Sequence, residues 1–185
     1  MRVMNGRSLA EAIPLKVDTL SRAHLMEALQ RSGIQLNASA QTLLDHPIFD
    51  RPAPQSVALV KRSLGELGLG SGAALPRIFD AAEEQGLRLC PATTGPYLRL
   101  AWLSQPNAPD AIMSNGRAPT GSLTVAAPPL QPNEEDYPKG FDLRVIDGHP
   151  WLRGYRCDLT YPWSSDDRLV FALPSPNNAS VGLTT

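Results

Sequence analysis

The side chains best suited to nucleophilic or metal chemistry are few: Cys90, Cys157, His24, His46 and His149. Metal sites built from such residues rely on close spacings, because ligands on one helix turn or flanking one tight loop converge without help from the rest of the fold. The sequence holds no C-x-x-C, no H-x-x-x-H and no H-E-x-x-H, so neither a metal nor a cofactor is expected. A cysteine nucleophile needs only a base that meets it in space. His149, oriented by Asp147, could serve Cys90 or Cys157 in a small hydrolase or thiol-dependent enzyme.

A second candidate is the run Gly65-x-x-Gly68-x-Gly70-x-Gly72, between a strand-like Ser56–Lys61 and a helix opened by Pro76. Strand, glycine loop and helix start is the order in which backbone amides cradle phosphate, and Lys61, Arg62 and Arg77 would add charge for an anion or nucleotide. The details differ from known cradles. No Lys-Ser or Lys-Thr follows the last glycine and the G-x-G-x-x-G spacing is absent, so a turn-rich connection is the simpler reading.

The third candidate is a set of arginines and aromatics, Arg144, Trp151, Arg153, Tyr155, Arg156 and Trp163. On one sheet face these residue types clamp carboxylates, stack on planar groups and form the anchors of interfaces. Read plainly, the same residues make a solvated face whose arginines pair with Asp142, Asp147 and Asp158. This set is the expected binding face. The acidic runs Glu134–Asp136 and Asp166–Asp167 lie beside Pro132, Pro138 and Ser164–Ser165 and read as solvated loop charge.

The elements that must position these residues change character along the chain. Ser21 caps a helix expected over Arg22–Ser32 that Gly33 ends, with Leu25, Met26 and Leu29 on its apolar face. A short helix is expected at Ala40–Asp45, a strand at Ser56–Lys61 and a helix at Arg77–Gln85. Nine of the 18 prolines fall between Pro91 and Pro138, which predicts loops joining short strands there. Strand-length segments follow at Leu98–Leu103, Ser122–Ala126, Phe141–Ile146, Trp151–Arg156 and Arg168–Leu173. Asp147-Gly148-His149-Pro150 marks the clearest hairpin, with Phe141, Leu143 and Val145 on one face and Asp142 and Arg144 on the other.

The whole is 185 residues and 42% hydrophobic, enough for one buried core and too short for two full-sized domains. Seventeen basic against 18 acidic side chains leave a net charge of −1, so no bulk electrostatic term favours nucleic acid. No apolar run reaches the roughly 20 residues that cross a bilayer, and Glu11 and Pro14 interrupt any export signal. Two cysteines far apart in sequence read as reduced thiols, hence a cytoplasmic protein.

The segments Asn5–Pro14, Leu87–Pro91 with Tyr97–Leu100, and Trp151–Tyr155 with Trp163–Phe171 together resemble a group of small uncharacterised bacterial proteins, over most of the chain. Some members carry a helicase label. This sequence has neither a GKS/T loop nor room for two motor lobes, so the label is not carried over. The resemblance implies a bacterial, cytoplasmic protein and brings no catalytic residue, cofactor or partner with it.

The sequence therefore predicts a single α+β domain over residues 1–173. Its mainly helical part, 1–86, packs against a mostly antiparallel, meander-like sheet in 87–173, and 174–185 forms a flexible tail. The expected function is a non-catalytic binding or accessory protein, immunity-type or regulatory, that meets a protein partner or a second copy through the Arg/aromatic face. The thiol enzyme and the glycine-loop anion binder stand as alternatives.

Overall fold

The computed structural model describes residues 12–109 and 118–175. Among them, seven strands form one mixed sheet: β1 (Ile13–Val17), β2 (Gln35–Leu36), β3 (Gln55–Ser63), β4 (Leu123–Val125), β5 (Gly140–Ile146), β6 (His149–Tyr155) and β7 (Arg168–Ala172). Four helices accompany it, α1 (Arg22–Arg31), α2 (Ala38–Leu44), α3 (Leu75–Glu84) and α4 (Thr94–Ala101). The expected tail falls almost entirely outside the described residues.

The strand order is β1-β3-β7-β4-β5-β6-β2. The β1–β3, β3–β7, β4–β5 and β5–β6 pairs are antiparallel, whereas β7–β4 and β6–β2 are parallel. The α+β class stands, but the sheet is mixed and is not a meander. The last strand inserts between β3 and β4, and β1 and β3 from the first part of the chain belong to the same sheet as the strands of the second.

Local chemistry explains most elements. Ser21 caps α1 by accepting from the His24 amide, and Asn37 caps α2 by accepting from Ala40 N at 2.8 Å. Pro76 enters the first turn of α3, where its missing N–H would have had no intrahelical acceptor. Asp147 and Gly148 both have positive φ, 49° and 76°, the backbone of a two-residue turn whose twist matches the strands it joins.

One expectation fails outright. Leu98–Leu103 is not a strand; its first part is the end of α4. Residues Thr94 to Arg99 are buried on every side, so no polar face marks the helical period, and Pro96 is tolerated because it sits in the first turn.

The sheet carries a core on each face. Val17, Leu59, Val125, Phe141, Leu143, Leu152 and Val170 point to one side, where Leu25 and Leu29 of α1, Leu43 and Leu44 of α2, and Leu98 of α4 pack on them. On the other side Val60, Leu169 and Phe171 meet Ile78 and Ala82 of α3 together with Trp163. That second core is centred on β3 and β7, with Tyr155 of β6 packed at its border. Farther along the same face the register runs Arg62, Leu169, Thr124, Asp142, Arg153, turning polar as it passes from β7 to β4.

Candidate functional site

The polar part of the second face is where the expected binding residues lie. Cross-strand register sets Asp142 opposite Arg153, Arg144 opposite Trp151 and Gly140 opposite Tyr155. All six β5 and β6 residues therefore share one face, because side chains two apart on a strand point the same way. Gly140 leaves room for its partner: a Cβ there would lie 3.1 Å from Tyr155 Cε1.

This face is not the open, solvated surface expected from the sequence. Arg144 is fully buried, its Nε donating to the Thr120 carbonyl at 3.0 Å, because the chain around residues 118–121 crosses over it. Trp163 is only 4% exposed. What remains is a recess of about 630 Å³ lined by Thr124, Asp142, Arg153, Tyr155, Arg156, Tyr161 and Trp163, with Glu135, Asp136 and Asp158 at its acidic side. Four of the six expected residues, Arg153, Tyr155, Arg156 and Trp163, line it; Arg144 and Trp151 do not.

The buried polar atoms of the lining include Asp142 Oδ1, Tyr155 Oη and Trp163 Nε1, none of which has a hydrogen-bond partner among the described residues. Unsatisfied buried groups are rare, since each costs on the order of 1–3 kcal/mol, and beside a cavity such groups are completed by ordered water or by a ligand. Asp142 is 3% exposed, and desolvation pushes its carboxyl up to about 6 against the opposing pull of the Arg153 and Arg144 guanidiniums. Desolvation likewise raises the Tyr155 phenol, with the neighbouring Cys157 and Asp142 adding to it, so Tyr155 is a neutral O–H.

The aromatic rings brace one another. Tyr155 and Trp163 meet edge to face at 5.8 Å, and Tyr161 meets Trp163 at 5.7 Å in the same geometry. Arg156 is tied down by Ser39 Oγ at 3.2 Å and by the Asp136 carbonyl. On its far side Trp163 borders a larger hollow of about 1020 Å³ that also touches Lys61, Trp102, Gln105 and Arg168.

The thiols and His149 do not form a constellation. Cys90 sits in the first core with its Sγ donating to the Val170 carbonyl at 3.4 Å, and burial raises it to about 12. Cys157 packs against the second core, on the opposite side of the sheet, and is raised to about 11 by burial. His149 is exposed and opens β6, while Cys157 follows the other end of that strand. At about 3.3 Å per residue the strand alone separates them by about 20 Å. Both cysteines are free, and among the described residues no three His, Cys, Asp or Glu side chains are grouped as a metal site.

The glycine loop is occupied by its own bonding. The amides of Gly65, Leu67, Gly68, Leu69 and Gly72 donate to backbone carbonyls, and Ser63 N is taken by the Glu66 carboxylate at 2.7 Å. Lys61 Nζ lies 4.8 Å from the centre of the Trp102 ring and Arg77 pairs with Glu84 at 3.1 Å. These donors and charges turn inward or sideways rather than toward a common anion.

Asp142, Thr124 and Tyr161 were not among the expected binding residues. Asp142 was legible only as a counter-charge for the arginines, and Thr124 and Tyr161 carried no sequence signal of their own. Among the described residues no helix is long and apolar enough to cross a membrane. Comparison with protein-family models, curated proteins and solved structures finds no match for this chain.

Proposed function

We propose that the chain is a non-catalytic binding protein, and that its recessed Arg/aromatic face holds a polar group belonging to a ligand or accessory partner. The observation that carries this reading is that Asp142, Tyr155 and Trp163, all lining one cavity, each bury a polar atom with no hydrogen-bond partner, Oδ1, Oη and Nε1. A carboxyl shifted by burial beside named guanidiniums in a cleft adds to it. Two free thiols held protonated support a reducing, cytoplasmic setting rather than thiol catalysis.

The test is a broad ligand screen by thermal shift, since whatever prefers the native state raises its apparent stability by mass action. Each hit is repeated on Asp142→Asn and Tyr155→Phe. Hits that stabilise the wild-type chain and lose their effect in folded variants support the reading. Hits that are indifferent to both variants, or a screen that includes purified candidate partners and yields none, refute it.

A further inference from the structure

We infer that the recess on β4–β6 takes a small uncharged ligand with hydroxyl groups on adjacent carbons, a monosaccharide or comparable polyol; this rests on the binding reading above. The unpartnered atoms set the requirement. An ionised Asp142 Oδ1 only accepts, Trp163 Nε1 only donates, and Tyr155 Oη does either. A single ligand that satisfies both donates to the first and accepts from the second. A hydroxyl does both, giving one proton and offering two lone pairs, and neighbouring hydroxyls on a short carbon frame present the two roles side by side.

Charge argues against an ionic ligand. The described lining sets Glu135, Asp136, Asp142 and Asp158 against Arg153 and Arg156, so an anion meets no surplus of positive charge. A cation meets the buried carboxylate only after Arg153 Nη1, already 3.8 Å from Asp142 Oδ2, and Arg144, whose charge also acts on it. Neutral ligands escape both penalties. The braced Tyr155–Trp163–Tyr161 cluster supplies apolar surface for the C–H groups of such a frame, and a recess of about 630 Å³ lies within the range of small-molecule sites.

The experiment titrates the full chain by calorimetry and ligand-observed NMR with D-glucose, D-galactose, D-mannose and D-ribose. Sodium acetate, sodium phosphate and methylammonium chloride serve as charged comparators. The expected result is saturable binding of at least one sugar, weakened about tenfold or more by Asp142→Asn and by Tyr155→Phe, each of which removes one bonding role. Tyr155→Phe keeps the ring and its packing, so it remains informative where Asp142→Asn does not fold. Absence of binding by any of the four sugars overturns the inference, as does sugar binding untouched in a folded variant. Binding of acetate, phosphate or methylammonium that the variants abolish also overturns it, while leaving the broader binding reading in place.

Discussion

Asp142 and Arg153 are direct cross-strand partners on β5 and β6, yet their closest charged atoms, Oδ2 and Nη1, stand 3.8 Å apart. The pair is thus an ion pair without a short hydrogen bond, around an aspartate that is almost wholly buried. Attraction at that distance does not repay the desolvation, and the carboxyl rises to about 6 instead of falling.

This has a pH signature. A carboxyl raised from 3.8 in the unfolded chain to about 6 in the fold means that the native state holds more protons than the unfolded state between those values. Stability therefore falls as pH rises through that window and levels off above it, by up to about 3 kcal/mol at roughly 1.4 kcal/mol per unit. Urea unfolding of the wild type between pH 4 and 8, set against Asp142→Asn, isolates this contribution. Identical pH profiles for the two proteins would falsify the assignment.

Asn37 ties α2 to β6. Its Oδ1 accepts from Ala40 N at 2.8 Å and from Gly154 N at 2.9 Å, while its Nδ2 donates to the Gly154 carbonyl at 3.1 Å. Asn37→Ala should cost more than the roughly 1 kcal/mol of an ordinary cap, because it also strands a strand amide and carbonyl. Gly154→Ala should be at least as damaging: its Cβ would stand 2.5 Å from the Ser39 carbonyl carbon, so α2 must lift off. Chemical denaturation measures both; a loss of under about 0.5 kcal/mol in either would contradict the clamp.

The thiols should be inert near neutrality. With Cys90 raised to about 12 and Cys157 to about 11, alkylation by iodoacetamide at pH 7.5 should run about a hundredfold or more slower than for a free thiol. Both should react at the ordinary rate in denaturant. Fast labelling of either in the native chain would revive the thiol-enzyme alternative.

Arg99 is a fully buried cation serving carbonyls and amides. Its guanidinium donates to Gln105 Oε1 at 2.7 Å, to the Trp151 carbonyl at 3.4 Å and to the Trp102 carbonyl, and desolvation lowers it to about 10. Gln105 passes the link on to the Leu143 and Gly121 carbonyls. Arg99→Lys keeps the charge but not the planar fork, and should destabilise by about 2–4 kcal/mol in urea titration. Wild-type stability in that variant would show that charge alone suffices.

What could be read from the sequence follows from how local its cause is. Ser21, Gly33, Pro76 and the Asp147-Gly148 turn act within a few residues, and the helices and hairpin they define appear where expected. The β1 strand does alternate, with Ile13, Leu15 and Val17 turned inward and Pro14 and Lys16 outward, but five residues that include a proline read equally well as loop, and Pro14 suits an edge strand. The parallel β7–β4 pairing joins segments about 45 residues apart and leaves no trace in either. For the site, alternation puts Asp142 with Arg144 on one face of β5 and Arg153 with Tyr155 on one face of β6, while the register that makes these the same face comes from the pairing. Alternation says nothing of what covers a face, and so the recess formed under Tyr161, Trp163 and residues 118–121 was out of reach.

The place of β7 has a consequence for how the chain comes off the ribosome. With every residue through Asp167 synthesised, β1–β3 and β4–β5–β6–β2 are two separate ladders, each with an open flank of unpaired amides and carbonyls. Only the last described strand bridges them, pairing residues more than 100 positions apart in the β3 ladder. The growing chain thus carries two half-sheets with open flanks until residues 168–172 have emerged, and β7 works as a zip fastener that closes both flanks at once.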